Sequence, residues 1–473
     1  MKTYYIKNLG CSKNKTDGSA IEAMLVGKGY CKAKDPEQAS IIVVNTCGFI
    51  QSARQQSIDA FFELNSLKRK GARIILAGCL AQMFHDEISE ELKEADAIVG
   101  NFNLSEFSEL LDSYEDVGDS SRTSTKRVIG IGKQSGSGVR SRFDVHMQPD
   151  VILAPVGDSP VSAYLKIAEG CNHMCSFCAI PGIRGRFRSF DKGLILKSIR
   201  QAVDSGTHEI NMIAQDLLSY GSDFDGASAQ IGFVGLLSEI AGMEGDFVVR
   251  CLYMHPDSFN MDVVRFMGDH RDRFLPYFDL AFQHGSDRIL SLMNRKHSSS
   301  YYAKMVDDIR KVLPDSVIRS TFMLGFPGET KTTIRELRSF LGDVQLEYCG
   351  FFRYSKEDGT RAAGLKPTYL SGKLIDEEIE SIKALCDESS SLRLSRFCGR
   401  EFPFIVEEDA GDGVFLGRLP FQAPEVDGIC EADFSNWCSG AADVKSVRVG
   451  DVVRVRTAEC VNDYDFVAHP IGT

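Results

Sequence analysis

The apolar and polar positions of the first 120 residues alternate between short apolar runs and longer amphipathic stretches. They predict three strands and two helices, at residues 3–7, 41–45 and 72–77 for the strands and 19–29 and 52–70 for the helices. A βαβαβ order is typical of a parallel sheet covered by helices. We therefore predict an amino-terminal α/β domain over residues 1–120.

A second β/α series follows a polar stretch. Residues 121–160 are rich in Gly and Ser without a period, which predicts a linker or mobile loop. Beyond it, six strands alternating with helices are predicted at residues 163–168, 209–213, 247–254, 277–280, 318–324 and 348–354. This order predicts a full or partial β/α (TIM-like) barrel over residues 161–397, with its chemistry at the carboxyl ends of the strands.

The last 76 residues have a different pattern of apolar and polar positions. Short β-rich runs at 402–406, 452–456 and 466–469 are separated by Gly and Asp turns, which predicts a small β-barrel over residues 398–473. Residues 399–473 hold 14 Asp or Glu against 6 Lys or Arg, a local charge of −8. This domain is the most acidic part of a chain whose net charge is −12.

Composition narrows the class of protein. No apolar run is long enough to cross a membrane, and residues 1–7 lack the apolar core of a signal peptide, so we expect a cytoplasmic protein that does not contact membranes. In that compartment 14 cysteines stay reduced, and clustered thiols more often bind metal or do redox chemistry. The acidic total argues against broad adhesion to nucleic acid and favours a basic partner.

Three cysteines of the second series are closely spaced: Cys171, Cys175 and Cys178 form Cys-x3-Cys-x2-Cys. Three thiolates on one loop can each bind one iron of a cubane cluster and leave the fourth iron open for a substrate or cofactor. A structural zinc site is the alternative, but it requires a fourth ligand such as His173.

Three further cysteines, Cys11, Cys47 and Cys79, each follow a predicted strand of the first domain. The carboxyl ends of parallel strands share one edge of the sheet, so these thiols can converge there. Glycines beside them would let the backbone approach a bulky cluster. They form a second candidate metal site, with buried thiols as the alternative.

These motifs resemble the radical SAM superfamily, in which the open iron binds S-adenosylmethionine (SAM). The segments Gly10 to Asn14, Asn45 to Ile50 and Gly78 to Gln82 resemble the amino-terminal domain of its methylthiotransferases. Barrel motifs and a carboxyl-terminal segment, Ala423 to Gly428, that resembles a TRAM barrel extend the similarity over nearly the whole chain.

Within that family, Cys11 to Asn14, the Pro-Tyr-Phe-Asp before Gln283, and Ala423 to Gly428 resemble the RimO branch, which methylthiolates an aspartate of small-subunit ribosomal protein S-twelve. The acidic tail fits a basic ribosomal protein and would repel an RNA backbone. A transfer-RNA adenosine methylthiotransferase is the second reading, and a non-catalytic iron–sulfur or zinc protein the third.

The resemblance implies two [4Fe–4S] clusters, with Cys171, Cys175 and Cys178 on the radical SAM cluster and Cys11, Cys47 and Cys79 on an auxiliary cluster that carries sulfur. It implies SAM used once as methyl donor and once as radical source, and an electron donor such as flavodoxin or ferredoxin, with an unknown sulfur donor. Candidate SAM contacts are Phe177, Glu169, Gln215, Gly325 and Phe326.

Other side chains receive plainer interpretations. Beyond the clusters, the sequence indicates no catalytic residue. Arg184, Arg186 and Arg188 could steer an anion, but a solvated edge is the favoured interpretation. We expect His173 and His284 to pack or form hydrogen bonds rather than bind metal.

Overall fold

The structure is a computed structural model that describes residues 2–48, 50–101, 104–115, 127–129, 152–225, 232–366, 370–435 and 447–471. It divides into two compact units. The first unit comprises Met1–Ala154, Leu165–His173 and Cys178–Ser198, and the second comprises Pro155–Tyr164, Met174–Phe177 and Ile199–Thr473. Within the described residues, no helix is both long and apolar enough to span a bilayer.

The first unit is built on a six-stranded parallel sheet with the order β2-β1-β3-β4-β5-β6. Its strands are β1 (Thr3–Asn8), β2 (Cys31–Lys32), β3 (Ile41–Thr46), β4 (Arg73–Gly78), β5 (Ala97–Val99) and β6 (Arg127–Ile129). Its helices are α1 (Ser12–Gly27), α2 (Gln51–Leu67), α3 (Cys79–Met83), α4 (His85–Glu91) and α5 (Ser105–Glu115). Separate apolar clusters cover the sheet, and the predicted parallel α/β domain is confirmed.

Helix α1 begins at Ser12, seven residues before the predicted start. Its first turns bury polar residues, among them Asn14 and Asp17, which are 1% and 2% exposed. The prediction was wrong here because apolar periodicity cannot reveal a helix face whose buried residues are polar.

Most of the predicted linker, at residues 121–126 and 130–151, lies outside the described residues. In the described part, β6 adds an edge strand to the sheet and β7 (Leu153–Pro155) precedes the barrel. The chain continues through β8 (Ser162–Lys166), β9 (Ala168–Glu169), α6 (Ile180–Arg184), β10 (Arg188–Ser189) and α7 (Lys192–Asp204).

The six predicted barrel strands are present in chain order. The remaining strands are β11 (Glu209–Ile213), β12 (Val248–Cys251), β13 (Tyr277–Asp279), β14 (Val317–Leu324) and β15 (Tyr348–Arg353). The helices after them are α8 (Phe233–Ala241), α9 (Met261–Asp269), α10 (Asp287–Leu292), α11 (Ser299–Val312), α12 (Lys331–Val344) and α13 (Gly372–Leu394).

These strands form two sheets, β12-β11-β8-β7 and β13-β14-β15, which a parallel bridge between Met254 and Leu280 links. The arrangement confirms a partial β/α barrel. Strand β12 ends at Cys251 rather than at the predicted residue 254, because Tyr253 has a φ of 63°, outside the β region.

The carboxyl-terminal strands close into a five-stranded barrel in the order β16-β17-β18-β20-β19. They are β16 (Glu401–Gly411), β17 (Val414–Arg418), β18 (Cys430–Asp433), β19 (Val452–Val461) and β20 (Asp465–Pro470). Within the second unit, Tyr277 and Tyr348 at the amino ends of β13 and β15 share one apolar core with Phe404 and Phe421 of this small barrel. The small barrel therefore covers the strand ends opposite to those where barrel chemistry is expected.

Candidate active site and family of the chain

Three cysteines of the first unit occupy equivalent positions on its sheet. Cys11 precedes the first residue of α1, Cys47 follows β3, and Cys79 follows β4 as the first residue of α3. Strands β1, β3 and β4 are parallel neighbours, so the three loops meet at the carboxyl edge of the sheet as expected.

The loops approach each other closely enough to require glycine. A Cβ at Gly10 would lie 2.8 Å from Cβ and 2.9 Å from Sγ of Cys47, and a Cβ at Gly48 would lie 2.8 Å from the backbone nitrogen of Leu80. These glycines allow close contact between the loops, and their role in letting the backbone approach a cluster stays a prediction. The contact at Gly10 involves Cys47 itself, so the packing restricts the position of that cysteine.

The thiols influence each other electrostatically. Burial raises the pKa of Cys79 to about 11, with further contributions from Cys11 and Cys47 that Arg184 opposes. Desolvation opposes ionisation of Cys11, but the charges of Lys13 and Arg184 and two backbone N–H groups outweigh it and lower its pKa. The three thiols therefore lie near one another, although Cys11 is exposed, Cys47 half-buried and Cys79 buried.

A [4Fe–4S] cluster binds each thiolate through a different iron, so its ligands surround a volume and do not meet at one point. Three neighbouring thiols with a cationic donor beside them fit such a group. In the described ranges, no group of three or more His, Cys, Asp or Glu side chains is arranged to hold a single metal ion.

Four charged side chains of the first unit form a closed ring next to these cysteines, which we call the Asp17 ring: Asp17, Lys166, Glu169 and Arg184. Arg184 donates from Nη1 to Oε1 of Glu169 and from Nη2 to Oδ2 of Asp17, each at 2.9 Å. Lys166 donates to Oε2 of Glu169 at 2.8 Å and to Oδ1 of Asp17. Burial opposes ionisation, but Arg184 and Lys166 lower the pKa of Glu169 well below its usual range.

The ring shows that Arg184 is buried, and it bears on the predicted contact of Glu169 with SAM. Arg184 was expected on a solvated edge, but its side chain is 2% exposed, because Asp17, 167 positions away in the chain, and Glu169 together compensate its charge. Arg186 is exposed as expected and Arg188 is half-buried. Both oxygens of Glu169 are occupied by ring partners, and its contact with SAM stays a prediction.

Sequence reasoning missed Asp17 and Lys166 as site residues. A signal was present for Lys166, since this lysine interrupts the apolar strand run at residues 163–168, and a charge in a buried strand requires a partner. Nothing in the sequence indicated that the partner of Lys166 is Asp17.

The Cys-x3-Cys-x2-Cys loop passes through both units. In the first unit, Cys171 donates its backbone N–H to the Gly185 carbonyl at 3.1 Å, and its Sγ accepts from the His173 N–H at 3.4 Å. Cys178 also belongs to this unit, and Cys175 to the second.

Cys175 has polar neighbours in the second unit. Its Sγ lies 3.5 Å from Nε2 of His255, which Arg295 also contacts. Burial raises the pKa of Cys175, although Arg295 opposes this.

The remaining candidate SAM contacts lie in the second unit after barrel strands. Gln215 is half-buried just beyond β11. Gly325 directly follows β14 and donates its N–H to Glu329 at 2.8 Å. Phe326 is fully buried and meets Phe177 edge to face, with ring centroids 6.5 Å apart.

His284 bonds to Glu329 at 3.2 Å and accepts the Ser286 N–H at 2.9 Å, which confirms its hydrogen-bonding role. Because Glu329 also holds Gly325, His284 stabilises the shape of this loop.

Comparison with known proteins identifies three segments. Residues 3–100 match the uncharacterized protein family UPF0004, residues 165–341 the radical SAM superfamily, and residues 398–471 the TRAM domain. The protein from Desulfosudis oleivorans named ribosomal protein uS12 methylthiotransferase RimO is 34% identical, and the match covers 94% of this chain and 96% of that one. Its namesake from Treponema denticola is 35% identical over 97% and 98% of the two chains.

The chain belongs to the RimO family. This confirms the resemblance found in the sequence, and membership implies SAM and [4Fe–4S] chemistry. Among solved structures, the radical SAM methyltransferase TsrM from Kitasatospora setae, with cobalamin and a [4Fe–4S] cluster bound, is 13% identical with a TM-score of 0.55. The match covers 79% of this chain and 84% of TsrM, and this likeness concerns the fold alone.

Proposed function

We propose that this chain is a radical SAM methylthiotransferase that adds a methylthio group to the β-carbon of an aspartate in ribosomal protein uS12. The observation that carries the proposal is the 31–35% identity to RimO proteins over 90–99% of the chain. The acidic carboxyl-terminal barrel supports a basic protein substrate over the transfer-RNA alternative.

We further propose two clusters, one held by Cys11, Cys47 and Cys79 and one by Cys171, Cys175 and Cys178. When bound, these groups and SAM supply a carbon-centred radical and a methylated sulfur. Cys171 to Cys178 span eight consecutive residues, so the covalent chain keeps these thiols close together. The first triple is supported by its three touching loops.

The protein's own residues orient and shield these groups. Gly48 and Gly10 let the cysteine loops approach each other closely, and Glu329 accepts the Gly325 N–H and so holds that turn. Phe177, Gly325, Phe326, Gln215 and Glu169 remain the proposed SAM contacts. The packing of Phe177 on Phe326 and the cation of Arg295 5.9 Å above its ring hold that aromatic in place.

The domain limits 1–120, 121–160, 161–397 and 398–473 are part of the proposal. So are a cytoplasmic location and an electron donor such as flavodoxin or ferredoxin. We assign no sulfur donor.

A deletion strain tests the substrate. Mass spectrometry should show unmodified uS12 aspartate and intact methylthioadenosine in its transfer RNA, with uS12 modification restored by the plasmid-borne gene. Loss of methylthioadenosine with uS12 still modified would overturn the substrate assignment in favour of transfer RNA.

Purified variants test the cluster assignment. Cys175→Ala should abolish formation of 5'-deoxyadenosine from SAM and dithionite, whereas Cys47→Ala should lose methylthiolation and retain some SAM cleavage. Cys31→Ala, an exposed cysteine of β2, serves as the matched control and should keep both activities. Equal residual cleavage in the Cys47 and Cys175 variants contradicts the division of roles.

A further inference from the structure

Cys79 receives two N–H donors in the first unit. Arg184 donates from Nη2 to its Sγ at 3.3 Å, and Asn101 donates from Nδ2 at 3.4 Å. The Arg184 donor is charged, and the cysteine residue is 7% exposed. A charged donor on a buried sulfur acts more strongly than it would in water.

The Asp17 ring, and not the sulfur, sets the position of Arg184. Two carboxylates bind two of its nitrogens, and Lys166 bridges the other oxygens of the same carboxylates. The four side chains are at most 9% exposed and their charges cancel. A buried network in which every charge is paired is rigid. The guanidinium therefore keeps its position whether or not the sulfur carries a negative charge.

The chain path explains why this arginine is available. Strands β9 and β10 pair antiparallel, with Glu169 opposite Arg188, so the segment after the Cys-x3-Cys-x2-Cys loop returns alongside the segment before it. Arg184 ends α6 just before that return. The ring thus joins both flanks of the cysteine loop to α1, which begins next to Cys11.

We propose that Arg184 is a positioning residue that raises the reduction potential of the cluster bound through Cys79, and that Asp17 acts in the opposite direction through its charge. The proposal rests on the assignment of Cys11, Cys47 and Cys79 as ligands of the auxiliary cluster. Hydrogen bonds to ligand sulfurs and nearby positive charge favour the reduced state, which carries one more electron.

A purely structural role makes a different prediction. If the ring only holds the fold, breaking it at Arg184 or at Asp17 should disturb the cluster in the same way. If charge tunes the cluster, the two substitutions should shift its midpoint potential in opposite directions, because one removes a cation and the other an anion from the same ring.

The test uses the full chain with Cys171, Cys175 and Cys178 all replaced by alanine, reconstituted with iron and sulfide without oxygen. Iron content reports whether the remaining cluster assembles, and redox titration followed by electron paramagnetic resonance gives its midpoint potential. In this background Arg184→Gln should lower the potential, Asp17→Asn should raise it, and Arg184→Lys should fall between Arg184→Gln and the parent.

The matched control is Arg186→Gln, which removes an exposed cation two residues away and should leave the potential unchanged. Unchanged potentials in the loaded Arg184 and Asp17 variants, or shifts of the same sign, overturn the proposal. If Arg184→Gln fails to fold, Asp17→Asn decides, and no positive shift there overturns it. A parent protein that takes up no iron overturns the ligand assignment, and this inference with it.

Discussion

Two buried clusters of carboxylates and cationic side chains each include one end residue of strand β8. The Asp17 ring lies where β8 ends at Lys166. The other, which we call the Glu209 cluster, consists of Ser162, Glu209, Arg250 and Arg418 in the second unit. Ser162 is the first residue of β8 and Glu209 the first of β11.

In the Glu209 cluster, two arginines and a serine bind the carboxylate oxygens of Glu209. Oε1 of Glu209 accepts from Arg250 at 2.8 Å and Oε2 accepts from Arg418, also at 2.8 Å. Ser162 adds a hydrogen bond of 2.6 Å to Oε2. Arg250 also reaches the Pro420 carbonyl, and Arg418 reaches Glu407.

The difference teaches what each cluster does. Arg418 ends β17, so the Glu209 cluster fastens the small barrel to the amino ends of the barrel strands within the second unit. The Asp17 ring leaves one arginine donor for a cysteine sulfur. Similar buried ion pairs therefore serve attachment in one place and, in our proposal, redox tuning in the other.

The largest expected effect is the loss of stability when the Glu209 cluster is disrupted. Glu209→Gln leaves Arg250 and Arg418 buried without a full counter-charge, which should cost about 3–5 kcal/mol of unfolding free energy. Urea unfolding measures it, with the exposed Glu408→Gln as control. A loss no greater than that of the control would show that the cluster does not hold the second unit together.

Asp17→Asn should cost less, because Glu169 still pairs with both cations of the ring. We expect a loss of about 1–3 kcal/mol in the cluster-free protein and a smaller loss after reconstitution, since ligand thiolates add negative charge beside Arg184. Anaerobic denaturation of both forms gives the two values, and Asp59→Asn on the exposed face of α2 is the control. Equal losses in both forms would indicate that the ligand sulfurs do not interact electrostatically with the Asp17 ring.

The smallest expected effect is on how the unfolding free energy depends on pH. Burial opposes ionisation of Glu209, but Arg418 and Arg250 lower its pKa well below its usual range. The stabilisation is therefore fully present above the unfolded-state pKa of about 4.3. It is lost as the pH falls below that value, by at most about 1.4 kcal/mol per pH unit.

The difference in stability between the parent and Glu209→Gln should accordingly shrink on acidification from pH 6 to pH 3. Denaturation curves at several pH values measure it. A difference that stays constant or widens would contradict the depressed pKa.

The sequence by itself determined the architecture and the cysteine sites' location. The runs predicted at residues 41–45, 209–213 and 318–324 lie in strands, because short runs rich in Ile, Val, Met and Phe are typical of buried strands even where a polar residue such as Glu209 or Arg319 is present. The spacing of Cys171, Cys175 and Cys178 and the positions of Cys11, Cys47 and Cys79 after strands needed only the chain order. Their roles as ligands stay predictions.

Only the tertiary structure decided how charged residues are used. The burial of Arg184 and the pairing of Lys166 with Asp17 depend on residues 149 or more positions apart in the chain. The start of α1 depends on hydrogen bonds from Asn14 to the carbonyl groups of Asn45 and Thr46 at the end of β3. Local pattern reports whether a side chain is apolar, but the partner that makes a buried charge tolerable comes from another element. For that reason the sequence indicated where the cysteines lie, and the fold supplied the arginine that bonds to one of them.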